Sequence, residues 1–254
     1  MKLLGGNKKW RVVLLFFILF FIWGISKKIN LNDNKAVFSE EVLYQKNKNL
    51  MVQVKTEGVL DSLEKLPREE SFSLVPVKHN FVSESSGFIF DVKNFYVLTV
   101  AHAIKKNMQY IVILNNNLQV KADLILLDKN YDLAVLKLPK NIEYDFPKIN
   151  YTYSFVGEKV VSFGYHFNEL RYQKTKVQAN NIHLQKEGVN LENVLQLAGK
   201  IPAGFSGGPV FNYAGEIVGM NMAVSDNYIL VIPSVYFLEL SYKISNIAIK
   251  HYLK

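Results

Sequence analysis

Short apolar and β-branched runs alternate with turn residues from residue 71 to residue 232. The runs are 72–77, 87–91, 95–100, 110–114, 119–127, 133–138, 159–165, 174–184, 194–198, 209–211, 216–222 and 228–232. Strands at this spacing predict an all-β sandwich or barrel rather than an alternation of strands and helices.

Two local signals add a turn and a helix to this outline. The asparagine triplet 115–117 between two runs predicts a hairpin turn, because asparagine tolerates the left-handed conformation that tight turns need. After Pro233 the pattern changes to helical spacing. We expect a C-terminal helix that Ser234 caps and that continues to the basic end of the chain, where Lys250 and Lys254 lie.

The chain has no cysteine among its 254 residues. Thiol nucleophiles, disulfides and cysteine-based metal sites are therefore excluded, although the compartment stays open because an exported protein need not use disulfides. His79, His166, His183 and His251 lack metal-ligand spacing with one another or with carboxylates. We expect structural or surface roles for them, with no metal and no cofactor.

The net charge of +8 is concentrated at the amino end. Six of these eight charges belong to residues 2–28, and no acidic residue precedes Asp33, so the rest of the chain is nearly balanced. Basic residues that flank an apolar run are typical of a membrane-inserted segment, whereas a nearly balanced body gives little support for phosphate binding. Nucleic acid is therefore not an expected partner.

Residues 12–25 read VVLLFFILFFIWGI, an unbroken apolar run. As a helix it spans about 21 Å against roughly 30 Å of hydrocarbon, so flanking residues must help it to cross. The poor cleavage site at 24–26 and the lysines after it favour a retained anchor over a removed signal. The charge asymmetry then predicts a cytoplasmic stub and transmembrane segment over 1–29, with the remainder outside the cytoplasmic membrane, or secreted if the segment is cleaved.

Residues 30–70 are polar and rich in charge, and we interpret them as a stalk. Within it, residues 58–66 have the composition of a helical turn or two. The functional domain is then expected over 71–254, including the C-terminal helix.

Glycines surround Ser206 in the loop 204–209, GFSGGP. Such a loop lets backbone amides beside the hydroxyl face an incoming carbonyl, and the amides of Gly204 and Ser206 are the predicted donors of an oxyanion hole. The loop also matches the G-x-S-x-G pattern of α/β-hydrolases. That fold requires an acid and then a histidine after the serine, whereas only His251 follows here and the serine leads into strand-like residues. The hydrolase interpretation is therefore disfavoured.

Two further residues lie beside predicted strands. His102 follows the run 95–100, and Asp132 directly precedes the run 133–138. With Ser206 they supply the three groups of acyl transfer: an imidazole that takes the hydroxyl proton, a carboxylate that fixes its tautomer, and the nucleophile. A barrel brings strand ends together, so their separation in sequence is no obstacle.

Several blocks around these residues resemble the trypsin-like peptidases, specifically the HtrA/Deg branch. They are SGFIF, FYVLTVAHAI, YDLAVLKL, VGEKVVSFG and VLQLAGKIPAGFSGGPVFNYAGEIVGMN, within 71–241. The resemblance implies a chymotrypsin-like fold of two six-stranded antiparallel β-barrels, with His102 and Asp132 in the first and Ser206 in the second. It also implies a polypeptide substrate and, by analogy, a homotrimer. Relatives often carry a PDZ domain, for which the residues after Ser241 leave no room.

Two positions depart from the family pattern. Phe205 stands where the family commonly has Asn or Asp, and Ile229 stands where a glycine is usual. Together with Ala203 and Leu230 they are the candidates for the substrate pocket. A bulky Ile229 on the strand that pairs with the substrate would narrow the primary pocket, so we expect small or medium apolar side chains at the cleaved bond.

Two functions follow. The first is a membrane-tethered serine endopeptidase that hydrolyses proteins through an acyl-enzyme intermediate, in quality control or processing outside the cytoplasmic membrane. The alternative is a catalytically silent binding or scaffolding module, for which Phe205 and Ile229 are the only hints. The intact set of His102, Asp132 and Ser206 favours the endopeptidase.

Overall fold

The computed structural model describes residues 37–68, 71–91, 93–139, 147–186, 188–224 and 227–252. Helices α1 (Glu40–Asn47) and α2 (Val235–Tyr252) flank the strands, and short 3-10 turns occur at Lys48–Leu50 and Ala101–Ala103. The strands are β1 (Met51–Arg68), β2 (Ser71–Asp91), β3 (Tyr96–Val100), β4 (Gln109–Ile113), β5 (Gln119–Asp128), β6 (Leu133–Lys137), β7 (Lys159–His166), β8 (Glu169–Lys186), β9 (Val189–Ala198), β10 (Pro209–Asn212), β11 (Ile217–Val224) and β12 (Tyr228–Pro233).

The strands close into two six-stranded antiparallel barrels. Their orders are β1-β2-β3-β6-β5-β4 in the first barrel and β10-β11-β12-β9-β8-β7 in the second. Closure gives every strand a neighbour on both sides within the barrel. Beyond the barrel, β1 and β2 continue as a two-stranded pair to Arg68 and Ser71. The prediction of a mostly β fold with two six-stranded sheets and a C-terminal helix is confirmed.

The two faces of strand β6 contribute to two different hydrophobic clusters. Successive side chains of a strand point to opposite faces. Ala134 and Leu136 accordingly lie inside the first barrel, whereas Leu133 and Val135 belong to a cluster shared with the second barrel. Because both faces are covered, the strand reads LAVLK without the polar alternation of a half-exposed strand.

The cluster shared by the barrels is rich in aromatic rings. Phe88 of β2 lies 5.9 Å from Phe237 of α2 between ring centroids, and Phe163 of β7 lies 5.5 Å from Phe211 of β10. Phe237 is fully buried, so the C-terminal helix is part of the packing between the barrels. Its apolar stripe has the spacing of a helix with one face on the core.

The first strand of the first barrel lies within the predicted stalk. Strand β1 pairs with β4 over Gln53–Glu57 and with β2 as far as Arg68, and Val54 is fully buried. Residues 58–66, predicted as a helical turn or two, continue this strand. The pattern around Val54 is short and set among charged residues, and the partners that stabilise it lie far along the chain. Local sequence therefore did not reveal it.

Two smaller predictions have different outcomes. Asn117 adopts a positive φ of 62° in the turn between β4 and β5, as the triplet predicted. Ser234 does not use its hydroxyl to cap α2. That hydroxyl donates to the carbonyl of Asn150, which binds the start of the helix to the segment that precedes β7.

The predicted cytoplasmic stub and transmembrane segment, 1–29, lie outside the described residues, as do the first residues of the predicted stalk. Across the part of the chain that is described, no helix combines the length and hydropathy needed to cross a bilayer.

Replacing Val54 tests whether β1 is a core strand. Val54→Asp places a carboxylate in the barrel interior, where burial raises a carboxyl pKa by about 3 units or more, and we expect a loss of about 4 kcal/mol in the free energy of unfolding. Val59→Asp, on the same strand but at a position that is 54% exposed, is the matched control and should change stability by less than about 0.5 kcal/mol. Urea unfolding measures both. Equal stability of the two variants would contradict the placement of β1 in the core.

Candidate active site

His102 and Asp132 meet at the ends of two paired strands. β3 ends at Val100, which pairs with Leu133, the first residue of β6. The 3-10 turn that follows β3 carries His102, and the turn that precedes β6 carries Asp132. The amide of Ala101 donates to the Asp132 carbonyl at 3.1 Å, which closes this end of the ladder. The sheet register therefore brings together two residues that are far apart in sequence.

The Asp132 carboxylate binds His102 through both oxygens. Oδ1 accepts the backbone amide of His102 at 2.8 Å, and Oδ2 lies 2.8 Å from Nδ1 of the imidazole. A carboxylate only accepts hydrogen bonds, so Nδ1 carries the proton. Nε2 is then left as the acceptor, which is the tautomer that a general base needs. The Asp132 side chain is 5% exposed and the His102 side chain 53% exposed, so the base faces solvent while its partner does not.

The turn that carries Asp132 is braced from two sides. Asp132 itself has φ of 52°, a left-handed conformation that costs a non-glycine residue about 1 kcal/mol. Asp128 Oδ1 accepts the amides of Asn130 and Tyr131. Asp128 Oδ2 lies 2.7 Å from Nζ of Lys243 on α2. These contacts hold the turn in its strained form and connect it to the C-terminal helix.

The pKa of His102 is raised above its ordinary value of 6.5. The hydrogen bond to Asp132 is the main cause, and the negative charge of that carboxylate acts in the same direction, while partial burial opposes both. The base is therefore neutral, and able to accept a proton, only above a pH that is higher than for a free histidine.

The loop around Ser206 depends on glycine at two positive φ angles. Gly204 has φ of 93° and Gly207 has φ of 88°, a region that side chains rarely adopt. Gly207 also lies against the first barrel: a Cβ there would be 2.0 Å from the Ser86 carbonyl oxygen and 2.6 Å from Thr99 Oγ1. Both the backbone conformation and the space therefore require glycine at 207.

Hydrogen bonds join this loop, which belongs to the second barrel, to strands β2 and β3 of the first. The Ser86 amide donates to the Ser206 carbonyl at 2.8 Å, and the Ser86 carbonyl accepts the Thr99 hydroxyl at 2.7 Å. Thr99 lies in β3, three residues before His102 in the turn that follows this strand. The serine loop is thus held against the strand that leads to the histidine.

Four successive carbonyls of the loop have hydrogen-bond donors. His166 Nδ1 lies 2.9 Å from the Ala203 carbonyl, and the Ser86 hydroxyl donates to Gly204 at 2.7 Å. The Phe205 carbonyl accepts the Gly208 amide at 2.9 Å, and the Ser206 carbonyl accepts the Ser86 amide.

The amides of the same loop divide into two sets. Those of Phe205 and Gly207 donate to Pro202 and Asn221. Those of Gly204 and Ser206 donate to no acceptor among the residues that the structure describes. Within the loop 204–209, as far as the described residues show, the two amides predicted for an oxyanion hole are therefore the two left free, and the carbonyls next to them are bound elsewhere.

Asn221 of β11 connects the loop to the interior of the second barrel. Its side chain is fully buried, donates to the Phe163 and Phe205 carbonyls at 3.0 and 3.4 Å and accepts the Ser162 hydroxyl at 2.8 Å. A buried amide with every polar atom paired fixes its neighbours in one arrangement. Because the Phe205 carbonyl belongs to the same peptide group as the Ser206 amide, Asn221 helps to orient that donor.

The structure brings His102 and Asp132 into direct contact and places the Ser206 backbone beside the strand of His102. Within the described residues, the Ser206 hydroxyl is not hydrogen-bonded to the imidazole. The third member of the predicted triad is thus positioned through its loop, and its role in proton transfer stays a prediction.

The four pocket candidates separate into core and surface residues. Phe205 is 1% and Ile229 0% exposed, and both belong to the apolar core of the second barrel. Phe205 fits there because Gly164 has no side chain: a Cβ on Gly164 would lie 2.5 Å from the Phe205 ring. Leu230 is half-buried and Ala203 is exposed. The assignment of these four residues to the substrate pocket, and the preference for small or medium apolar residues, stay predictions.

Ser86 and Asn221 were not among the predicted site residues. Ser86 stands in the block SGFIF and Asn221 in the block ending GMN, so both lie in segments that carried the resemblance. The role of Ser86 rests on a contact with a residue more than a hundred positions away in the sequence. A sequence pattern alone does not indicate such contacts.

Asp132→Asn tests the cause of the raised His102 pKa. Without the charge and the Oδ2 acceptor, we expect the His102 pKa to fall below its wild-type value, measured by NMR titration of the ring. In the wild type, the raised pKa means that this pair stabilises the fold fully below about pH 6.5 and that the contribution is lost as pH rises through the raised pKa. Asp123→Asn, at an exposed position of β5, is the control and should leave the His102 pKa unchanged. An unchanged pKa in Asp132→Asn would refute the assignment.

Asn221→Leu tests the buried amide. The substitution keeps the volume but leaves the Ser162 hydroxyl and the Phe163 carbonyl unpaired in the core, so we expect a loss of about 3 kcal/mol in the free energy of unfolding. Urea denaturation gives this value, with Asn190→Leu at an exposed position of β9 as the reference. A loss no larger than that of the reference would show that the amide bonds contribute nothing.

Comparison with known proteins agrees with this geometry. A probable periplasmic serine endoprotease DegP-like from Buchnera aphidicola subsp. Baizongia pistaciae is 31% identical over 149 residues, 57% of this chain and 31% of the relative. The serine endoprotease DegS of Haemophilus influenzae is 28% identical over 196 residues, 75% of this chain and 55% of the relative. The chain thus spans about a third to a half of the length of these relatives.

The fold and the family are supported separately. The crystal structure of the Rv3671c protease from M. tuberculosis, in its active form, superposes with a TM-score of 0.60 at 18% identity, covering 79% of this chain and 82% of that one. At this identity the likeness concerns the fold. The family model of the trypsin-like peptidase domain matches residues 85–220, more than half of the chain and the segment that contains every residue described above as catalytic or oxyanion candidate. The curated relatives named above are DegP-like and DegS endoproteases, and the chain belongs to the trypsin-like peptidases.

Proposed function

We propose that the protein is a serine endopeptidase with Ser206 as nucleophile, His102 as general base and acid, and Asp132 as the residue that orients the imidazole. The observation that carries this proposal is the pair of free amides at Gly204 and Ser206, between carbonyls that are all bound elsewhere. Such an arrangement leaves two donors in fixed positions beside a hydroxyl, which suits the negative charge that develops on a carbonyl oxygen during acyl transfer.

In the proposed acylation, the Ser206 hydroxyl attacks the carbonyl carbon of the substrate and its proton passes to Nε2 of His102. The carbonyl oxygen takes up negative charge and binds the amides of Gly204 and Ser206. Asp132 stabilises the imidazolium without taking its proton. When the tetrahedral intermediate collapses, the C–N bond breaks and the same proton passes to the departing amine.

Deacylation repeats these steps with water. Nε2 takes a proton from the water molecule, whose oxygen attacks the ester carbon of the acyl-enzyme, and the proton then returns to the Ser206 oxygen as the acid product leaves. The raised pKa of His102 supports this role, because a more basic imidazole takes up the proton more readily.

The substrate and location are part of the proposal. The relatives bear the names of serine endoproteases, and several are named as periplasmic, which supports polypeptide substrates and work outside the cytoplasmic membrane. The apolar run at residues 12–25 supports attachment to that membrane. We further propose a homotrimer, by analogy with the branch, and a role in protein quality control or processing.

Labelling with a fluorophosphonate tests the nucleophile. Wild-type protein should acquire one covalent label, at Ser206, because the reagent requires an activated hydroxyl beside an oxyanion hole. The labelling rate should fall as pH decreases through the raised pKa of His102, since the protonated imidazole no longer accepts the hydroxyl proton. Mass spectrometry of the labelled peptide identifies the site.

Matched variants complete this test. Ser206→Ala should take no label, and Ser245→Ala, on an exposed part of α2, should label like the wild type. A wild-type protein that takes no label at any pH would instead indicate the catalytically silent binding module, and label that persists in Ser206→Ala would show a different nucleophile.

A further inference from the structure

The carbonyls of residues 203–206 each accept a hydrogen bond, which anchors the loop around Ser206. The anchor of Ala203 differs in kind from the other three. The anchors of Gly204, Phe205 and Ser206 come from Ser86, which is buried in β2, and from the turn itself. The anchor of Ala203 is the imidazole of His166, the last residue of β7, whose side chain is only half-buried.

The Ala203 carbonyl shares a peptide group with the Gly204 amide. A trans peptide is planar, with its C=O and N–H pointing in opposite directions, so a donor that holds the carbonyl also fixes where the amide points. We propose that His166 is a positioning residue for the oxyanion hole, which holds the Gly204 amide toward the reacting carbonyl by binding the Ala203 carbonyl from behind. This inference rests on the proposed peptidase function.

The Gly204 amide is the donor that most needs such an anchor. Glycine can adopt more backbone conformations than any other residue type. The backbone of Gly204 itself therefore does little to oppose rotation of the Ala203–Gly204 peptide. The other donor, the Ser206 amide, belongs to a peptide whose carbonyl has two partners, the Gly208 amide and Asn221 Nδ2. Loss of one contact there leaves a second in place.

The hairpin between β7 and β8 fixes the position of His166. His166 pairs with Glu169 at the end of the ladder, and the two turn residues, Phe167 and Asn168, have φ of 48° and 65°. Two positive φ angles are typical of the tight turns that match the twist of paired strands. The Phe167 ring lies 4.2 Å from the imidazole between centroids and restricts its rotation.

The contact does not require a charged histidine. Nδ1 must donate, since a carbonyl oxygen only accepts, and both the imidazolium and the neutral form protonated at Nδ1 supply this proton. An asparagine at 166 would place its amide nitrogen close to the position of Nδ1. A glutamine would place the same group one bond further out, and a phenylalanine would keep the ring but offer no donor.

The test compares these side chains in the full-length protein. The measured quantity is the second-order rate of fluorophosphonate labelling at a pH above the His102 pKa. Removing an oxyanion donor altogether slows related reactions about 10²- to 10³-fold, and a donor that is misoriented part of the time should cost less. We expect His166→Phe and His166→Gln to label about tenfold more slowly than wild type and His166→Asn to stay within about twofold of it. His183→Phe, at an exposed histidine paired with the Glu192 carboxylate, is the control and should label like the wild type.

Two readouts separate positioning from a general structural role. The Tm and the His102 pKa should be the same in all four variants, since neither depends on the Ala203 carbonyl. Should His166→Phe fold poorly, the polar pair His166→Asn and His166→Gln still decides the question. Labelling of His166→Phe and His166→Gln at the wild-type rate, or of His166→Asn as slowly as His166→Gln, would overturn the inference while leaving the proposed function intact. Absence of labelling in the wild type would overturn both.

Discussion

The hydrogen bond from the Ser86 amide to the Ser206 carbonyl joins the two barrels at the candidate active site. Ser86 belongs to the first barrel and Ser206 to a loop of the second, and the contact is 2.8 Å long. It is possible only because Gly207 brings no side chain between them. Without this approach the loop around Ser206 would stand off from β2 and from β3, the strand that leads to His102.

Burial of the Asp132 carboxylate is the main electrostatic cost of the site. Charge removed from water is destabilising unless hydrogen bonds replace the solvent. Here the amide and imidazole of His102 do so, and the strained turn that presents the carboxylate is in turn held by Asp128 and Lys243. The contact between Asp128 and Lys243 thus links this turn to α2, whose position rests mainly on the burial of Phe237 in the shared core.

Much of the fold follows from periodicity, and the exceptions have identifiable physical causes. The runs from 87–91 onward coincide with β2 to β12 because their apolar residues face a core on at least one side, and the run 72–77 lies in the same strand, β2. β1 was not predicted because Val54 stands among charged residues and its stabilising partners are distant strands.

The catalytic candidates His102 and Asp132 could be predicted from their positions beside strand ends. The contributions of Ser86, Asn221 and His166 could not be predicted, because each side chain binds a backbone carbonyl and no sequence pattern marks such a contact. Phe205 and Ile229 illustrate a different limit: the departure from the family pattern was visible in the sequence, but the burial of both side chains in the core of the second barrel was not.

The loop around Ser206 belongs to the second barrel but is hydrogen-bonded to Ser86 of the first. This arrangement affects the order in which the site can form during synthesis. Residues 51–137, which form the first barrel and include His102 and Asp132, are synthesised before the loop at 204–209. The backbone of Ser206 reaches Ser86 only when the second barrel packs against the first. In the proposed enzyme, hydrolytic competence would therefore arise only after the second barrel has been synthesised and has packed against the first.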